Sequence, residues 1–441
     1  MGRARREQRT ARDAGDWVKA LDDWFAPYRA ALGHKGRERW GPLYLAGLLG
    51  PGDRKSVQPM AERVAPADHE QLHHFIATSA WDLGPLETLL ATEAERLVGG
   101  PDAVLIVDDT SLLKQGRHSV GVARQYAGQV GKTANCQCLV SVTLARGEVP
   151  VPVALRLHLP AEWTSAPGRL AQAGVPPEWR AARTRGTLAL AELDRVRAAG
   201  IQATTVLADA GYGMGHEFRQ GLTDRGYTWA VGIVQTQGVY PASVHVPAPR
   251  ARPVQGRPRK FGTPSHVTQS AAAMLATARW RTVTWRRGTR GPLRARFAAV
   301  HVRVADGPRK TGRPRQPGGL AWLVGEERAD GARKYYLCNH PAKTALRTLA
   351  GVIKARWVCE QAHQQLKEEL GLDHFEGRSW LGLHHHALFS MLAFTFLQHE
   401  RLKAGRGKKN PARAAPVPVT PRRAPRAPRA RPARTPHVSA V

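Results

Sequence analysis

Residues 103–109 read AVLIVDD, and this stretch decides the fold class of the chain. The turn signal GGPD at residues 99–102 comes directly before it, so an uninterrupted apolar run begins at a break in the chain. A short apolar run bounded in this way predicts a buried β-strand. Because strand ends open onto the crevice where ligands bind, Asp108 and Asp109 at the end of the run are candidate functional residues.

The segments after this strand alternate between strand and helix patterns. Their order is strand, strand, strand, helix, strand, helix, strand, which predicts one mixed sheet with helices on its faces. The segments after AVLIVDD are CQCLVSVTLA at 136–145, VPVALRLHL at 151–159, a helical pattern at 179–200, TTVLADAGYG at 204–213, a helical pattern at 215–226 and YTWAVGI at 227–233. Asp209 comes directly after the apolar run TTVLA and is a further candidate functional residue at a strand end.

Composition divides the chain into five regions. Helical spacing of tryptophans and leucines gives way to the α/β pattern, a basic proline-rich stretch interrupts that pattern, and a Pro, Ala and Arg rich tail ends the chain. We expect an N-terminal helical DNA-binding domain at 1–98, the first part of the α/β domain at 99–239, a basic insertion at 240–320, the second part of the α/β domain at 321–403 and a disordered basic tail at 404–441.

The charge of the chain indicates a polyanionic partner. The formal net charge is +31, and the ten basic residues of the tail from Gly405 to Val441 account for only a third of it. A folded body with this charge attracts nucleic acid and releases counterions when it neutralises phosphates. The rival partner is an anionic membrane surface, but no long amphipathic basic helix supports it. The apolar run at 387–397 is too short to span a bilayer and predicts a buried core helix.

The four cysteines form no CxxC pair, and the first ten residues lack the apolar core of a secretory signal. We therefore expect a cytoplasmic protein that is associated with the nucleoid.

Two short basic motifs in the insertion are candidate DNA contacts. GRPRK at 256–260 and GRPR at 312–315 resemble the pieces that lie in a narrow A·T minor groove. The alternative is a solvated basic loop, because motifs this short are not specific. The candidate residues are Arg257, Arg259, Lys260, Arg313 and Arg315.

The segment RWVCEQAHQQLK at 356–367 has the period of a helix that carries charge along one side. On a helix, an offset of four residues is about 40° of rotation and an offset of seven is about −20°. Arg356, Glu360 and Lys367 therefore share one face. Taken alone, this pattern also fits an exposed ion pair between residues four apart, and such a pair contributes little to stability.

Together, an aspartate at each of two strand ends and a glutamate on this helix form a ligand set for two Mg²⁺ ions about 4 Å apart. Such a site attacks a phosphodiester in line, and Arg356 and Lys367 beside the glutamate would grip the phosphates. Asp108 and Asp109 point to opposite faces of a strand, so only one of them should reach the ions.

Over most of its length up to about residue 402, the chain resembles the DDE transposases of bacterial insertion sequences. The likeness rests on VDDTSLLKQGRHSVGVARQYAGQVGKTANCQ at 107–137, LHLPAEWT at 157–164, VLADAGYG at 206–213 and the N-terminal GPLYLAGLLGPGDRKSVQPMAERV at 41–64. It is closest to the subgroup with the Tyr, Arg, Glu, Lys signature. Arg356, Glu360 and Lys367 match three of the four signature positions, and Ile353 stands at the tyrosine position.

The resemblance implies an α/β fold with an RNase H-like mixed sheet, flanking helices and a strand-rich insertion before the glutamate. It also implies two Mg²⁺ ions with Mn²⁺ as a substitute, and catalytic ligands at Asp109, Asp209 and Glu360, with Asp108 as the alternative to Asp109. The DTS triplet from Asp109 favours that residue. The implied activity is cleavage and strand transfer at element ends, with double-stranded DNA as substrate and target and a homodimer on the DNA.

Two other functions stay open on the sequence. A transposase-derived regulator would bind DNA without cutting it, and a DDE-type nuclease would share the chemistry but act on other DNA.

Overall fold

The computed structural model describes residues 2–247, 262–288, 291–307 and 315–407. Five helices precede the first strand, as the helical spacing of the first hundred residues predicts. Their apolar faces pack on one another and on the last helix of the chain, which buries Phe25, Tyr44 and Phe75. The helices are α1 (Gly2–Ala31), α2 (Lys35–Leu49), α3 (Val57–Val64), α4 (His69–Ala77) and α5 (Gly84–Val98).

Six strands and five helices form the next part of the chain. The strands are β1 (Val104–Leu113), β2 (Ala123–Ala127), β3 (Lys132–Arg146), β4 (Val149–His158), β5 (Thr205–Ala208) and β6 (Thr228–Ile233). The helices are α6 (Ala161–Thr164), α7 (Pro167–Gln172), α8 (Arg185–Ala198), α9 (Ala210–Gly213) and α10 (His216–Asp224).

The sheet order in this part is that of an RNase H-like fold. β3 lies antiparallel to β1 on one side and to β4 on the other, whereas β1, β5 and β6 run parallel. Parallel strands need crossover connections, and α8 and α10 supply them on the way to β5 and β6. The predicted fold class, a mixed RNase H-like sheet with flanking helices, is confirmed.

One expectation about β1 was wrong. The strand does not end at Asp109 but continues to Leu113, because residues 109–113 pair with residues 136–140 of β3. Thr110 and Ser111 are consequently buried, although their side chains are polar. The two aspartates therefore lie in the middle of a strand.

Strands in the basic insertion and in the residues on either side of it extend the same sheet. The elements here are β7 (Gly238–Pro241), β8 (Gln269–Ser270), α11 (Ala271–Ala276), β9 (Arg281–Gly288), β10 (Gly291–Val304), β11 (Leu320–Glu327) and β12 (Arg333–Cys338). β12 returns to pair antiparallel with β6, so the described residues form one sheet of 12 strands. The domain boundaries given above stay predictions.

Three helices end the described part of the chain: α12 (Leu346–Ala355), α13 (Trp357–Glu368) and α14 (Trp380–Gly407). The predicted core helix at 387–397 is confirmed as a buried part of α14, where Phe389 and Phe396 pack against the N-terminal helices. No helix in the described ranges has an apolar stretch that is long enough to cross a membrane.

Candidate active site

A cavity of about 910 Å³ opens where the middle of β1, the end of β5, the start of α8 and one side of α13 meet. Its walls combine carboxylates with cationic side chains. Those that matter below are Asp108, Asp109, Asp209, Glu360, Arg185, Arg356 and Lys367, and Tyr126, Gln129, Tyr212 and His363 also line it. The cavity therefore brings together side chains from elements that are far apart in the sequence.

Asp108 and Asp109 are engaged by different neighbours, because successive side chains of a strand point to opposite faces. The Arg356 Nη1 atom donates to Asp108 Oδ2 at 2.5 Å. The Arg185 Nη1 atom donates to Asp109 Oδ2 at 2.7 Å, and the Tyr212 hydroxyl donates to the other oxygen of Asp109. Asp108 is thus directed toward α13, and Asp109 toward α8 and α9.

Asp209 follows β5, as predicted, and stands level with Asp108. Val107 of β1 is the register partner of Ala208 of β5. Asp108 comes directly after Val107, and Asp209 comes directly after Ala208. The Asp209 carboxylate caps α9 by accepting from the backbone N–H groups of Gly211 at 2.9 Å and Tyr212 at 3.3 Å. A capping oxygen of this kind satisfies donors that the helix cannot pair internally.

Arg356 joins two of the candidate carboxylates. It lies at the junction of α12 and α13, where one guanidinium nitrogen binds Asp108 and the other binds Glu360. The Glu360 side chain is 61% exposed, so its pair with Arg356 contributes little to stability. Its importance is geometric, because one cation contacts both a strand carboxylate and a helix carboxylate. Lys367 lies further along α13, with its Nζ atom 3.3 Å from Gln129 Oε1.

The electrostatics of the cavity favour added positive charge. Burial raises the pKa of the Asp108 carboxyl to about 7, with Arg356 opposing this effect and Asp209 adding to it. Burial likewise raises the pKa of Asp109, against the lowering effects of Arg185 and the Tyr212 hydrogen bond. Buried carboxylates close to one another disfavour their charged forms unless a cation neutralises them.

A second group of possible donors lies behind Asp108. Donor atoms of Asp108, Cys359 and His363 are all within 4.8 Å of one another. Burial raises the pKa of the Cys359 thiol to about 12, and burial together with Lys367 and Arg356 lowers the pKa of His363 to about 3. His363 Nε2 is 2.9 Å from Ser141 Oγ. The Cys359 thiol is therefore protonated, and the neutral His363 imidazole is already paired with a hydroxyl group. Because Mg²⁺ prefers oxygen ligands, we assign these two side chains to packing behind Asp108.

A family model described as DDE superfamily endonuclease matches residues 27–292, which is more than half of the chain. The chain belongs to this family. The DDE superfamily match contains Asp108, Asp109 and Asp209, whereas Glu360 lies beyond its last residue.

Two further similarities accompany the family match. The chain is 27% identical over 224 residues to the "Probable transposase for insertion sequence element IS701" of Microchaete diplosiphon. That similarity covers 50% of this chain and 56% of the relative, so the chain spans about half the length of the curated protein that it matches. A solved structure, "Cryo-EM structure of piggyBac transposase synaptic complex with hairpin DNA", is similar with 11% identity and a TM-score of 0.41, over 84% of this chain and 66% of that one.

Not all predicted site residues of the chain lie at the cavity. Arg315 is exposed and is not among the residues that line the cavity. Ile353, at the tyrosine position of the signature, is buried in an apolar cluster that includes Leu349 and Val358. Four predicted DNA contacts lie outside the described residues: Arg257, Arg259, Lys260 and Arg313.

The sequence reasoning missed Arg185 and Tyr212, both of which contact Asp109. One signal was available for Arg185. Thr184 begins α8 as its N-cap, accepting from the Thr187 N–H at 3.0 Å, and a threonine followed by a helical run marks a helix start. That signal places Arg185 in the first turn. Its contact with β1 depends on the packing of α8 on the sheet, which no local pattern gives.

Proposed function

We propose that this chain is a DNA transposase that cuts and joins phosphodiester bonds at the ends of an insertion sequence. The observation that carries the proposal is the position of Arg356, a cation bound by Asp108 and Glu360 in the cavity that Asp209 also lines. Three carboxylates that line one cavity, one in β1, one directly after β5 and one on α13, match the donor set of a site for two divalent ions.

In this proposal, Asp108, Asp209 and Glu360 are the metal ligands. The place before Thr110 favours Asp109, but its contacts with Arg185 and Tyr212 hold it toward α8 and α9. Asp108 instead faces α13, which carries Glu360. The oxygen-only donor set suits Mg²⁺, with Mn²⁺ as a substitute, and the raised pKa of Asp108 fits a site that gains from added positive charge.

Mg²⁺ held by these three carboxylates would activate water or a 3′-hydroxyl and would stabilise the leaving oxygen. The residues of the chain bind and orient the DNA. Arg356 and Lys367 lie on the same side of α13 as Glu360 and line the cavity, so their charges face the phosphates of the strand that is cut. The predicted contacts Arg257, Arg259, Lys260, Arg313 and Arg315 in the insertion would add affinity through phosphates or the minor groove.

The proposed partner is double-stranded DNA, first as element ends and then as target. A net charge of +31 supports this partner, because neutralised phosphates release counterions. Joining two ends to one target requires two active sites, so we propose a homodimer on the DNA.

The test is strand cleavage of a labelled duplex that carries the ends of the insertion sequence encoding the chain, with Mg²⁺. We expect wild-type protein to cut it and the Asp209→Ala and Glu360→Ala variants to bind it without cutting. Glu368→Ala is the matched control, because Glu368 is an exposed glutamate on α13 whose side chain contacts Gln364 at 3.1 Å, outside the cavity lining. This control should cut like the wild type.

The other outcomes separate the rival functions. Binding without cutting by the wild type would refute the transposase and support a DNA-binding regulator. Equal cutting of duplexes with and without the element ends would support a DDE-type nuclease.

A further inference from the structure

Tyr212 contacts two aspartates, Asp109 in the middle of β1 and Asp209 directly after β5. Its backbone N–H donates to Asp209 Oδ1 at 3.3 Å, and its hydroxyl donates to Asp109 Oδ1. The ring is buried, with only 4% of the residue exposed, and it packs against Phe218 of α10. One rigid side chain therefore connects the middle of β1 to the turn that carries Asp209.

The turn itself is fixed from behind. A Cβ atom on Gly213 would lie 1.9 Å from the Gly232 carbonyl oxygen, so the backbone of α9 lies directly against β6. The Asp209 side chain accepts from the N–H groups of Gly211 and Tyr212 within the same turn. The conformation of Asp209 is thus set by three supports, namely β6 behind it, its own cap and the Tyr212 hydroxyl.

Asp109 holds the other end of this connection. Its second oxygen accepts from Arg185, the first residue of α8, at 2.7 Å. Arg185 Nη2 lies 3.4 Å from Gln125 Oε1 of β2, and Gln125 in turn donates to the Cys136 carbonyl of β3 at 3.0 Å. Asp109 is therefore the centre of a hydrogen-bonded chain that runs from the edge strand through α8 to the Asp209 turn.

We infer that Asp109 is a positioning residue that, through Tyr212, fixes the Asp209 carboxylate in the cavity. The inference rests on the proposed function for its consequence, since Asp209 is there a metal ligand. Partners that orient a ligand in this way determine metal affinity and activity without touching the metal. The same arrangement explains how adjacent aspartates serve two purposes, with Asp108 facing the ions and Asp109 holding the neighbouring ligand.

The experiment compares Tyr212→Phe and Asp109→Asn with Tyr227→Phe. Tyr227 is a matched control because it is buried and its hydroxyl has no hydrogen-bond partner among the described residues, so its loss removes no such bond. The first readout is hydrogen exchange of the peptide that contains Gly211 and Tyr212, measured by mass spectrometry without metal or DNA. The second is the Mn²⁺ concentration that half-saturates cleavage.

We expect Tyr212→Phe and Asp109→Asn to speed exchange in this peptide and to raise the half-saturating Mn²⁺ concentration about tenfold. Tyr227→Phe should change neither quantity. Unchanged exchange in the Tyr212→Phe protein would overturn the inference, as would Asp109→Asn abolishing cleavage while exchange stays that of the wild type. A wild type that never cuts DNA would refute the proposed function, and the exchange measurement would still decide whether Asp109 and Tyr212 hold the turn.

Discussion

Replacement of Glu192 by Gln should lower the free energy of unfolding of the protein. Glu192 lies on α8 with only 2% of its side chain exposed, between two arginines. Its carboxylate accepts from Arg156 Nε of β4 and from Arg195 Nε, each at 2.7 Å. Arg156 also donates to Glu87 of α5 at 2.9 Å. The cluster thus ties two helices to the sheet, and a neutral amide would leave the buried guanidinium group of Arg156 and the partly buried one of Arg195 with one carboxylate.

The size of the effect follows from the carboxyl group itself. Burial raises its pKa, but Arg156 and Arg195 outweigh burial and lower the pKa from 4.5 to about 2. That difference corresponds to about 3 kcal/mol of stability. Removal of one partner from a buried ion pair independently gives about 3 to 5 kcal/mol. Because the folded-state pKa is depressed, this stability is present above about pH 4.5 and is lost as the pH falls toward 2.

The assay is urea denaturation followed by tryptophan fluorescence at pH 7, 4 and 3. Glu162→Gln, at an exposed glutamate of α6, is the control for loss of one negative charge. Glu192→Gln should lower the free energy of unfolding by about 3 kcal/mol at pH 7, and its difference from the wild type should shrink at pH 3. A loss below about 1 kcal/mol at pH 7, or a difference that does not change with pH, would refute the reasoning.

Three further predictions concern the cavity. Arg356→Lys should cut DNA at least about tenfold more slowly, because an ammonium group cannot bind a phosphate through two parallel hydrogen bonds as a planar guanidinium does; single-turnover cleavage measures this, and an unchanged rate would contradict it. Lys367→Ala should reduce the slope of log affinity against log salt by about 1 in fluorescence anisotropy, and an unchanged slope would exclude a phosphate contact. Mg²⁺ should raise the thermal midpoint of the wild type but not of Asp108→Asn, and equal shifts in both would exclude Asp108 as a ligand.

The sequence predicted those elements of the fold that depend on a local pattern of residues. The apolar run before Asp209 stops at a glycine-rich turn, and the structure has β5 ending there. The helical period around Glu360 and the order of strands and helices were predicted in the same way, because period and punctuation are local properties.

The sequence did not predict those features that depend on pairing between distant segments of the chain. The sequence pattern ends β1 at Asp109 and leaves Thr110 and Ser111 outside it, but β3 pairs with these two residues and buries them. The edge strand β2 was missed because ARQYA is mostly polar and is stabilised by its pairing with β3. The choice between Asp108 and Asp109 depends on which face of β1 meets α13, and no local pattern contains that information.

The measurement that tests the central claim most directly is a structure of the protein with element-end DNA and Mn²⁺, in which anomalous scattering locates the ions. The account predicts two peaks about 4 Å apart, bonded to Asp108, Asp209 and Glu360. Asp109 should keep its contacts with Arg185 and Tyr212. Peaks bonded to Asp109 instead of Asp108, or DNA in the cavity with no peak at these carboxylates, would contradict it.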